Sequence, residues 1–468
     1  MEILRIARRS LLSFFVLAVF LALAPSNSFA ANSGKLRVGA ARVEITSLVT
    51  AALPPTGKYD HEKIYVRAIV IDNGSTCAAI LGADSSDMYE AVYAEAAPKI
   101  AAELKCPVAN ILMSVTHSHS AGSPMGAAIK DMPYMQGFAD ALLDAARKAK
   151  AQLQPAVAGF GTGTAYLNVN RDAVDPETHL WSQAPNTKAV SDKTVAVLKF
   201  VKPSGEPIAV YVNYAMHPID GFLLGFITAD FPGAMCRYVE QAFIDKAVVI
   251  FTQSASGDQN PLYLRPSTNG QASMRGIPIT GYQLTREDVE STFRNKDVPS
   301  KPIDPVVRER LERFIESEGQ ILGEEVIRVM TVTTQTSDDA RIWGAQKTIT
   351  CPGRKRLDNA REGTGGSYED APAVPIRLGV LAVGNVALTE VNAEVYNRIA
   401  LRTKSQSPLA NTVFVALANG RADTGYIPDD ESYGHQTFQV LGTKLKQGCA
   451  EDAISNTLAD LIAEYTRQ

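Results

Sequence analysis

The chain has 468 residues, 46% of them hydrophobic, and a formal net charge of −4. This composition is sufficient for one large hydrophobic core or two smaller ones. Basic residues are slightly outnumbered by acidic residues and form no cluster, so nucleic acid and a strongly anionic membrane are excluded as main partners.

The first 30 residues have the pattern of a secretory signal peptide. Three arginines precede an apolar run that is short for a membrane span, and residues 28–30, Ser-Phe-Ala, form a small-x-small cleavage pattern. An uncleaved membrane anchor is the alternative. We therefore expect an exported protein, periplasmic or secreted, whose residues 31–468 form a single domain with 43 basic and 49 acidic residues.

Beyond residue 35, short apolar runs alternate with longer helical patterns, which predicts an α/β fold of mixed β-sheets packed with helices. The predicted strands are residues 64–72, 77–84, 110–117, 194–201, 208–217, 247–254, 374–391 and 412–419. The predicted helices are residues 89–105, 135–153, 231–244 and 450–468. The polar segment 267–302 has little periodicity and is predicted to be a surface excursion, either a flap over a site or an ordinary insertion.

The cysteines lie far apart, without a CxxC motif, which excludes a thiolate zinc cluster and a disulfide-dense scaffold. One or two disulfides are compatible with an oxidising compartment, and the odd number of cysteines leaves at least one thiol free. The pairing stays open. The five residues are Cys77, Cys106, Cys236, Cys351 and Cys449.

The HxH motif of His117 and His119 is the first candidate for chemistry. Residues two apart on a strand point to the same face, so both imidazoles project to one side if the strand continues through them. Such a pair either binds a metal ion or caps the strand end by bonding to neighbouring serines. The metallo-β-lactamase pattern HxHxDH fails, because Ala121 and Gly122 occupy its last two positions. An amidohydrolase barrel is disfavoured because two or three strands precede the pair.

Three further residues stand where apolar runs give way to loops. His217 ends one such run, and Glu394 and Tyr426 occupy equivalent strand-exit positions. Two histidines, a carboxylate and one more oxygen ligand form a suitable mononuclear zinc site with room for water or substrate. Asp84 and Asp258 also follow strands, and they either orient the metal-bound histidines or form turns.

Eight segments of the chain match, in order, the motifs of one known family. They are LRVGAARVEIT, THSHS, LNVNR, NYAMHP, TADFPG, QSASGDQNP, VALTEVNAEVY and LANGRADTGYIP. Together they resemble the catalytic, N-terminal domain of neutral and alkaline, non-lysosomal ceramidases over nearly all of residues 31–468. The resemblance implies a domain of this type without the immunoglobulin-like C-terminal domain of those enzymes.

The resemblance also implies roles for individual residues. The implied zinc ligands are His117, His217, Glu394 and Tyr426. His119 is then placed beside the metal to stabilise or protonate the reacting carbonyl group, and Arg171 contacts the substrate or the developing oxyanion. Glu390 competes with Glu394 for the ligand role, but the family motif favours Glu394. Glu390 is then a strand-end or surface carboxylate.

One departure from the family concerns the substrate side. Where the ceramidases have a serine near the scissile amide, this chain has Asn260, two residues after Asp258. A carboxamide can hydrogen-bond an acyl or amide group but is a poor nucleophile, so a covalent mechanism through this position is excluded. The residues expected at the reacting centre are His119, Arg171, Asp258 and Asn260.

The expected function is that of an exported zinc-dependent hydrolase that cleaves an N-acyl amide bond with activated water, in ceramide or a related N-acyl lipid. A lipid substrate implies transient contact with a membrane surface. Two alternatives stay open: a zinc hydrolase of a non-lipid amide or ester, and a zinc-containing binding protein that has lost turnover. Asn260 favours the last alternative, whereas the complete ligand set and Arg171 oppose it.

Overall fold

The computed structural model describes residues 33–52, 62–121, 133–221, 227–262, 305–359 and 362–467. These residues contain 19 strands and eight α-helices. The predicted fold class, mixed β-sheets packed with helices, is confirmed. The predicted signal peptide at 1–30 and the predicted excursion at 267–302 lie outside the described residues.

One five-stranded sheet has the order β5-β4-β3-β2-β6, in which β4 and β5 are parallel and the other neighbours are antiparallel. Its strands are β2 (Arg37–Glu44), β3 (Tyr65–Asp72), β4 (Cys77–Ala83), β5 (Ile111–Val115) and β6 (Gln154–Pro155). Because the central strands are apolar on both faces, the sheet is buried on both sides. The helices on its outer face are α1 (Thr46–Ala52), α2 (Glu90–Leu104) and α3 (Pro133–Ala151).

A glycine sets the distance between this sheet and α3. A Cβ atom on Gly39 would lie 2.1 Å from the carbonyl oxygen of Ala149. No side chain can occupy that position unless the helix moves away from β2, so glycine is required by the close approach.

A four-stranded sheet has the order β12-β11-β10-β7, with β11 and β12 parallel. Its strands are β7 (Val157–Thr164), β10 (Thr194–Val201), β11 (Pro207–Tyr214) and β12 (Val248–Gln253). Its outer face packs against two helices, α4 (Asp230–Ala242) and α5 (Pro305–Val332).

A second five-stranded sheet has the order β1-β14-β15-β16-β18, with β16 and β18 parallel. Its strands are β1 (Ser33–Lys35), β14 (Asp339–Arg356), β15 (Tyr368–Val383), β16 (Val386–Val391) and β18 (Asn411–Val415). Its outer face packs against α6 (Asn397–Gln406) and α8 (Ala450–Arg467).

The inner faces of these three sheets share one hydrophobic core. Ile80, Tyr211 and Leu388 come from the three sheets in turn and belong to the same buried cluster. Each sheet therefore has one face on the common core and the other face covered by helices. This arrangement brings strand ends from all three sheets to one region of the molecule.

Two small sheets contribute further parts of the candidate site. One has the order β13-β8-β9, and the other is a parallel pair of two-residue strands, β17 and β19. The strands are β8 (Asn168–Val174), β9 (Trp181–Asn186), β13 (Gln259–Pro261), β17 (Glu394–Val395) and β19 (Tyr426–Ile427). A short helix, α7 (Phe438–Gly442), follows β19.

All eight predicted strands and all four predicted helices are present. The run 374–391 forms two strands rather than one, because Gly384 adopts a φ of 59° and allows β15 to turn back into β16. The longer elements that the prediction missed are β2, β7, β8, β9, β14, α1, α5 and α6. Within the described ranges, every helix is too short or too polar to cross a membrane.

Two disulfides and one free thiol account for the five cysteines. Cys77 bonds to Cys106, and Cys351 bonds to Cys449, which lies 98 residues further along the chain. Cys236 is free and buried. The expected number of bridges, with one thiol left over, is confirmed. The second bridge ties β14 to the start of α8.

We expect the paired substitution Cys351→Ala with Cys449→Ala to lower the free energy of unfolding by about 2–4 kcal/mol, because the cross-link restricts the unfolded chain. Urea unfolding of the oxidised protein measures this change. Cys236→Ala is the control and should lose less, since it breaks no cross-link. A double variant that unfolds at the wild-type urea concentration would contradict the prediction.

Candidate metal centre

The two candidate histidine ligands come from strand ends of different sheets. His117 follows β5 and His217 follows β11. His117 has a φ of 66°, a left-handed conformation that is uncommon outside glycine, and β5 ends at Val115. The expectation that a continuous strand presents His117 and His119 on one face is therefore wrong. A turn brings their rings to a centroid distance of 4.9 Å instead.

His117, His217 and Glu394 place three ligand atoms in a tight triangle. His117 Nε2 lies 3.2 Å from His217 Nε2 and 3.2 Å from Glu394 Oε2, and the third side measures 3.4 Å. Ligands about 2.0–2.1 Å from a tetrahedral metal ion lie about 3.3 Å from one another. The triangle therefore has the dimensions of three ligand positions around one ion.

Backbone carbonyl groups orient both rings and require a hydrogen on Nδ1 of each. His117 Nδ1 lies 2.5 Å from the carbonyl oxygen of Ser86, and His217 Nδ1 lies 2.7 Å from that of Ser256. A carbonyl oxygen only accepts, so each Nδ1 donates its hydrogen, and each neutral ring has its lone pair on Nε2. When both rings are neutral, two lone pairs and a carboxylate oxygen face one another, and either a proton on His117 or a cation between the three atoms relieves the repulsion.

Tyr426 lies beside this triangle because β19 pairs with β17. Glu394 and Tyr426 are direct partners in that parallel pair. The Tyr426 ring lies 6.4 Å from the His217 ring, and the Arg171 guanidinium carbon lies 5.5 Å from the centroid of the Tyr426 ring. The structure thus brings together all four residues that the sequence nominates as ligands.

The electrostatics of the triangle also favour a cation. Burial opposes ionisation of Glu394, but His117 and Arg421 outweigh burial and hold its pKa well below the usual value. Burial opposes protonation of His117, but the charge of Glu394 outweighs burial and raises the pKa of His117. Burial and the charge of Arg171 lower the pKa of His217 to about 3. An ionised Glu394 and a neutral His217 are in the state in which these groups bind metals.

His119 gives the cluster a third imidazole. Its ring lies 5.6 Å from that of His217, and ligand atoms of His117, His119 and His217 all lie within 4.8 Å of one another. Burial, followed by the charges of the other two rings, lowers the pKa of His119 well below its usual value. The three histidines are compatible with a metal ion, and a neutral His119 is placed either to bind it or to stand beside it.

Arg171 lies at the edge of the cluster, opposite a β-bulge. The pairing of β8 with β9 shifts register between Asn170 and Asp172, where Arg171 of β8 faces two residues of β9, Ala184 and Pro185. Its guanidinium donates to Asn260 Oδ1 at 3.1 Å and to the Gly257 carbonyl oxygen at 2.6 Å. Bulges are common beside functional sites.

The two aspartates nominated to orient the histidines have other partners. Asp258 accepts hydrogen bonds from Asn170 at 2.7 Å and from the backbone of Asn397 at 2.8 Å. Asp84 pairs with Arg67 at 2.9 Å. These carboxylates support β8, α6 and β3, and the carbonyl groups described above orient the rings. Burial and Asp172 raise the pKa of Asp258 to about 7.

Glu390 is not a surface residue, so that part of its interpretation is wrong. Its side chain lies near the end of β16 with 2% exposure and accepts a hydrogen bond from Asn419 Nδ2 at 2.7 Å. Burial raises the pKa of Glu390 well above its usual value. Its carboxyl group supports the loop after β18 rather than the triangle.

Two charged residues near the triangle escaped the sequence analysis. Arg421 donates to Glu394 Oε1 at 2.7 Å, and the same guanidinium pairs with Asp87. Both residues lie close in sequence to nominated positions: Asp87 is near Asp84, and Arg421 belongs to the segment that contains Tyr426. The signal that could have identified Arg421 was its charge in a motif of mostly small residues.

No family model matches the chain, and no curated protein matches it. Solved structures similar in fold include two ceramidases. One is described as ceramidase complexed with C2, at 15% identity and a TM-score of 0.64, with coverage of 92% of this chain and 76% of that chain. The other is neutral ceramidase from Pseudomonas aeruginosa, at 16% identity and a TM-score of 0.63, covering 92% of this chain and 75% of that chain. The resemblance predicted from the motifs is confirmed at the level of the fold: the chain has the fold of the neutral ceramidase structures over 92% of its length.

Proposed function

We propose that the protein is an exported, zinc-dependent hydrolase that cleaves an N-acyl amide bond, in ceramide or a related N-acyl lipid. The observation that carries this proposal is the buried triangle of His117 Nε2, His217 Nε2 and Glu394 Oε2, with sides of 3.2–3.4 Å. The fold shared with structures described as ceramidases supports the class of reaction. Export rests on the sequence pattern of residues 1–30.

The donor set fits zinc. Two imidazole nitrogens, one carboxylate oxygen and one phenol oxygen would hold the ion, and zinc accepts nitrogen and oxygen ligands and can expand to five-coordinate when water or substrate also binds. The ligands would be His117, His217, Glu394 and Tyr426. When bound, zinc supplies Lewis acidity, which polarises a carbonyl group and lowers the pKa of water toward about 7.

Arg171 supplies positive charge on the substrate side. The guanidinium is 3% exposed and is held by Asn260 and the carbonyl group of Gly257, so it is fixed before substrate arrives. As water adds to the acyl carbon, negative charge grows on the acyl oxygen. A fixed cation in a buried site stabilises that charge without reorganising.

His119 is the proposed proton donor to the leaving amine. Its imidazole stands beside those of His117 and His217 at ring distances of 4.9 and 5.6 Å. A histidine at this position can transfer a proton between water and the departing nitrogen. Asn260 assists by fixing Arg171, and because an amide is a poor nucleophile, direct attack by water is the favoured mechanism.

A second candidate function has one observation in its favour. Asn260 replaces a serine of the family motif, which is consistent with a zinc-containing binding protein that has lost turnover. The two hydrogen bonds that fix Arg171 favour the hydrolase, because a binding protein has no need of a fixed cation there. Stoichiometric zinc without cleavage of any N-acyl amide would favour the binding protein.

We expect the wild-type protein to bind about one zinc ion per chain and His117→Ala to lose it, because the triangle then lacks one of its three atoms. Metal analysis of the purified protein measures this difference. His117→Ala should also lose hydrolysis of a short-chain fluorogenic ceramide. Wild type treated with a chelator should lose the same activity and regain it when zinc is added back.

His179→Ala is the matched control, since His179 is an exposed histidine in the turn between β8 and β9. It should keep both metal and activity. A wild-type protein without stoichiometric metal would refute the zinc assignment.

We expect Arg171→Met to lower kcat by about 10²–10³-fold while zinc content stays near wild type, because the variant loses stabilisation of the oxyanion and no proposed ligand. Steady-state kinetics together with metal analysis check this. Arg398→Met removes a more exposed arginine that pairs with Glu431, and it should be silent. Loss of zinc together with activity would instead make Arg171 part of the metal site.

We expect Asn260→Ser to raise kcat/KM for a short-chain ceramide, because it restores the hydroxyl that the family motif has near the scissile bond. The same assay on simple N-acyl amides shows whether the gain is specific to ceramide. Unchanged turnover of ceramide would indicate another class of N-acyl substrate.

A further inference from the structure

The two oxygens of the Glu394 carboxylate have different surroundings. Oε2 faces the Nε2 atoms of His117 and His217 at 3.2 and 3.4 Å. Oε1 accepts a hydrogen bond from Arg421 Nη2 at 2.7 Å. The carboxylate is therefore divided between the imidazoles on one side and a guanidinium on the other.

Arg421 is itself fixed at several points. Its other terminal nitrogen, Nη1, pairs with the Asp87 carboxylate, and its backbone N–H donates to Glu90 Oε2 at 3.2 Å. Glu90 is held in turn by Arg377 at 2.6 Å. A guanidinium anchored in this way presents its remaining donor in one direction.

The charges in this arrangement are balanced. An unpaired arginine this close to the triangle would repel a metal ion, but the carboxylate of Asp87 lies on the same guanidinium. The ion pair of Arg421 with Asp87 adds no net charge beside the site. Besides helping to keep Glu394 ionised, Arg421 fixes the direction of one hydrogen bond to its carboxylate.

We propose that Arg421 is a positioning residue that restricts Glu394 to binding the metal through Oε2 alone. This inference rests on the proposed metal-dependent function. A carboxylate that binds through both oxygens occupies a position that a catalytic zinc site keeps open for water or substrate. Because Arg421 donates a hydrogen bond to Oε1, that oxygen is held away from the metal, and the position for water or substrate stays open.

The test compares Arg421→Ala and Arg421→Lys with wild type in two measurements that do not depend on activity. Zinc affinity is measured by competition with a chromogenic chelator, and the visible absorption spectrum is recorded after replacement of zinc by Co²⁺. Four-coordinate Co²⁺ absorbs more strongly than Co²⁺ with five or six ligands, so the spectrum reports the number of ligands.

We expect Arg421→Ala to bind zinc about tenfold more weakly, the usual scale for losing a partner of a metal ligand. We also expect its Co²⁺ absorption to be weaker than that of wild type, because the released Glu394 can bind through both oxygens. Arg421→Lys retains one donor and should recover part of the affinity and of the absorption.

Arg402→Ala is the matched control. Arg402 is also held by two carboxylates, Glu451 and Asp452, and its side chain is 31% exposed against 27% for Arg421. The control should keep the wild-type affinity and spectrum. If Arg421→Ala does not fold, Asp87→Asn removes the anchor with little change of shape and should shift both measurements in the same direction.

The outcomes separate this inference from the proposed function. If wild type binds zinc and Co²⁺ but Arg421→Ala has the same affinity and spectrum, the positioning role is overturned and the hydrolase proposal stands. If wild type binds neither ion stoichiometrically, the proposed function fails, and this inference fails with it.

Discussion

The convergence of His117 Nε2, His217 Nε2 and Glu394 Oε2 is the constraint around which the rest of the site is built. All three atoms are acceptors when both rings are neutral, and all three are buried. Such a contact is unfavourable without a proton or a metal cation between the atoms. The left-handed turn at His117 directs its ring toward the other two atoms. The short pairing of β17 with β19 fixes Glu394 beside Tyr426.

Part of this site was predictable because His117 and His217 follow strands, and strands are visible as apolar runs. Glu394 and Tyr426, also expected at strand exits, instead begin the short strands β17 and β19, whose pairing places them beside the histidines. The sequence could not show that backbone carbonyl groups orient the rings, because a carbonyl group has no residue type. It assigned that role to Asp84 and Asp258, whose carboxylates have other partners.

The missed elements have different causes. The apolar residues of β14 alternate with exposed polar ones along much of its length, so it lacks a continuous hydrophobic run. The helix α5 was missed although its sequence carries a helical signal. Leu322, Val326 and Val329 recur at the spacing of one helix face. A left-handed residue such as His117 has no signal of this kind, because its conformation depends on contacts made by distant parts of the chain.

The positions of the three main candidate ligands also depend on how the large sheets pack. His117 follows a strand of the first sheet, His217 a strand of the second and Glu394 a strand of the third. Their spacing is therefore fixed by the common core, in which Ile80, Tyr211 and Leu388 meet. A cation bound at the triangle would hold the same three sheets together, because binding to the folded state alone stabilises it. Formation of the core and formation of the metal site are then two consequences of one packing arrangement.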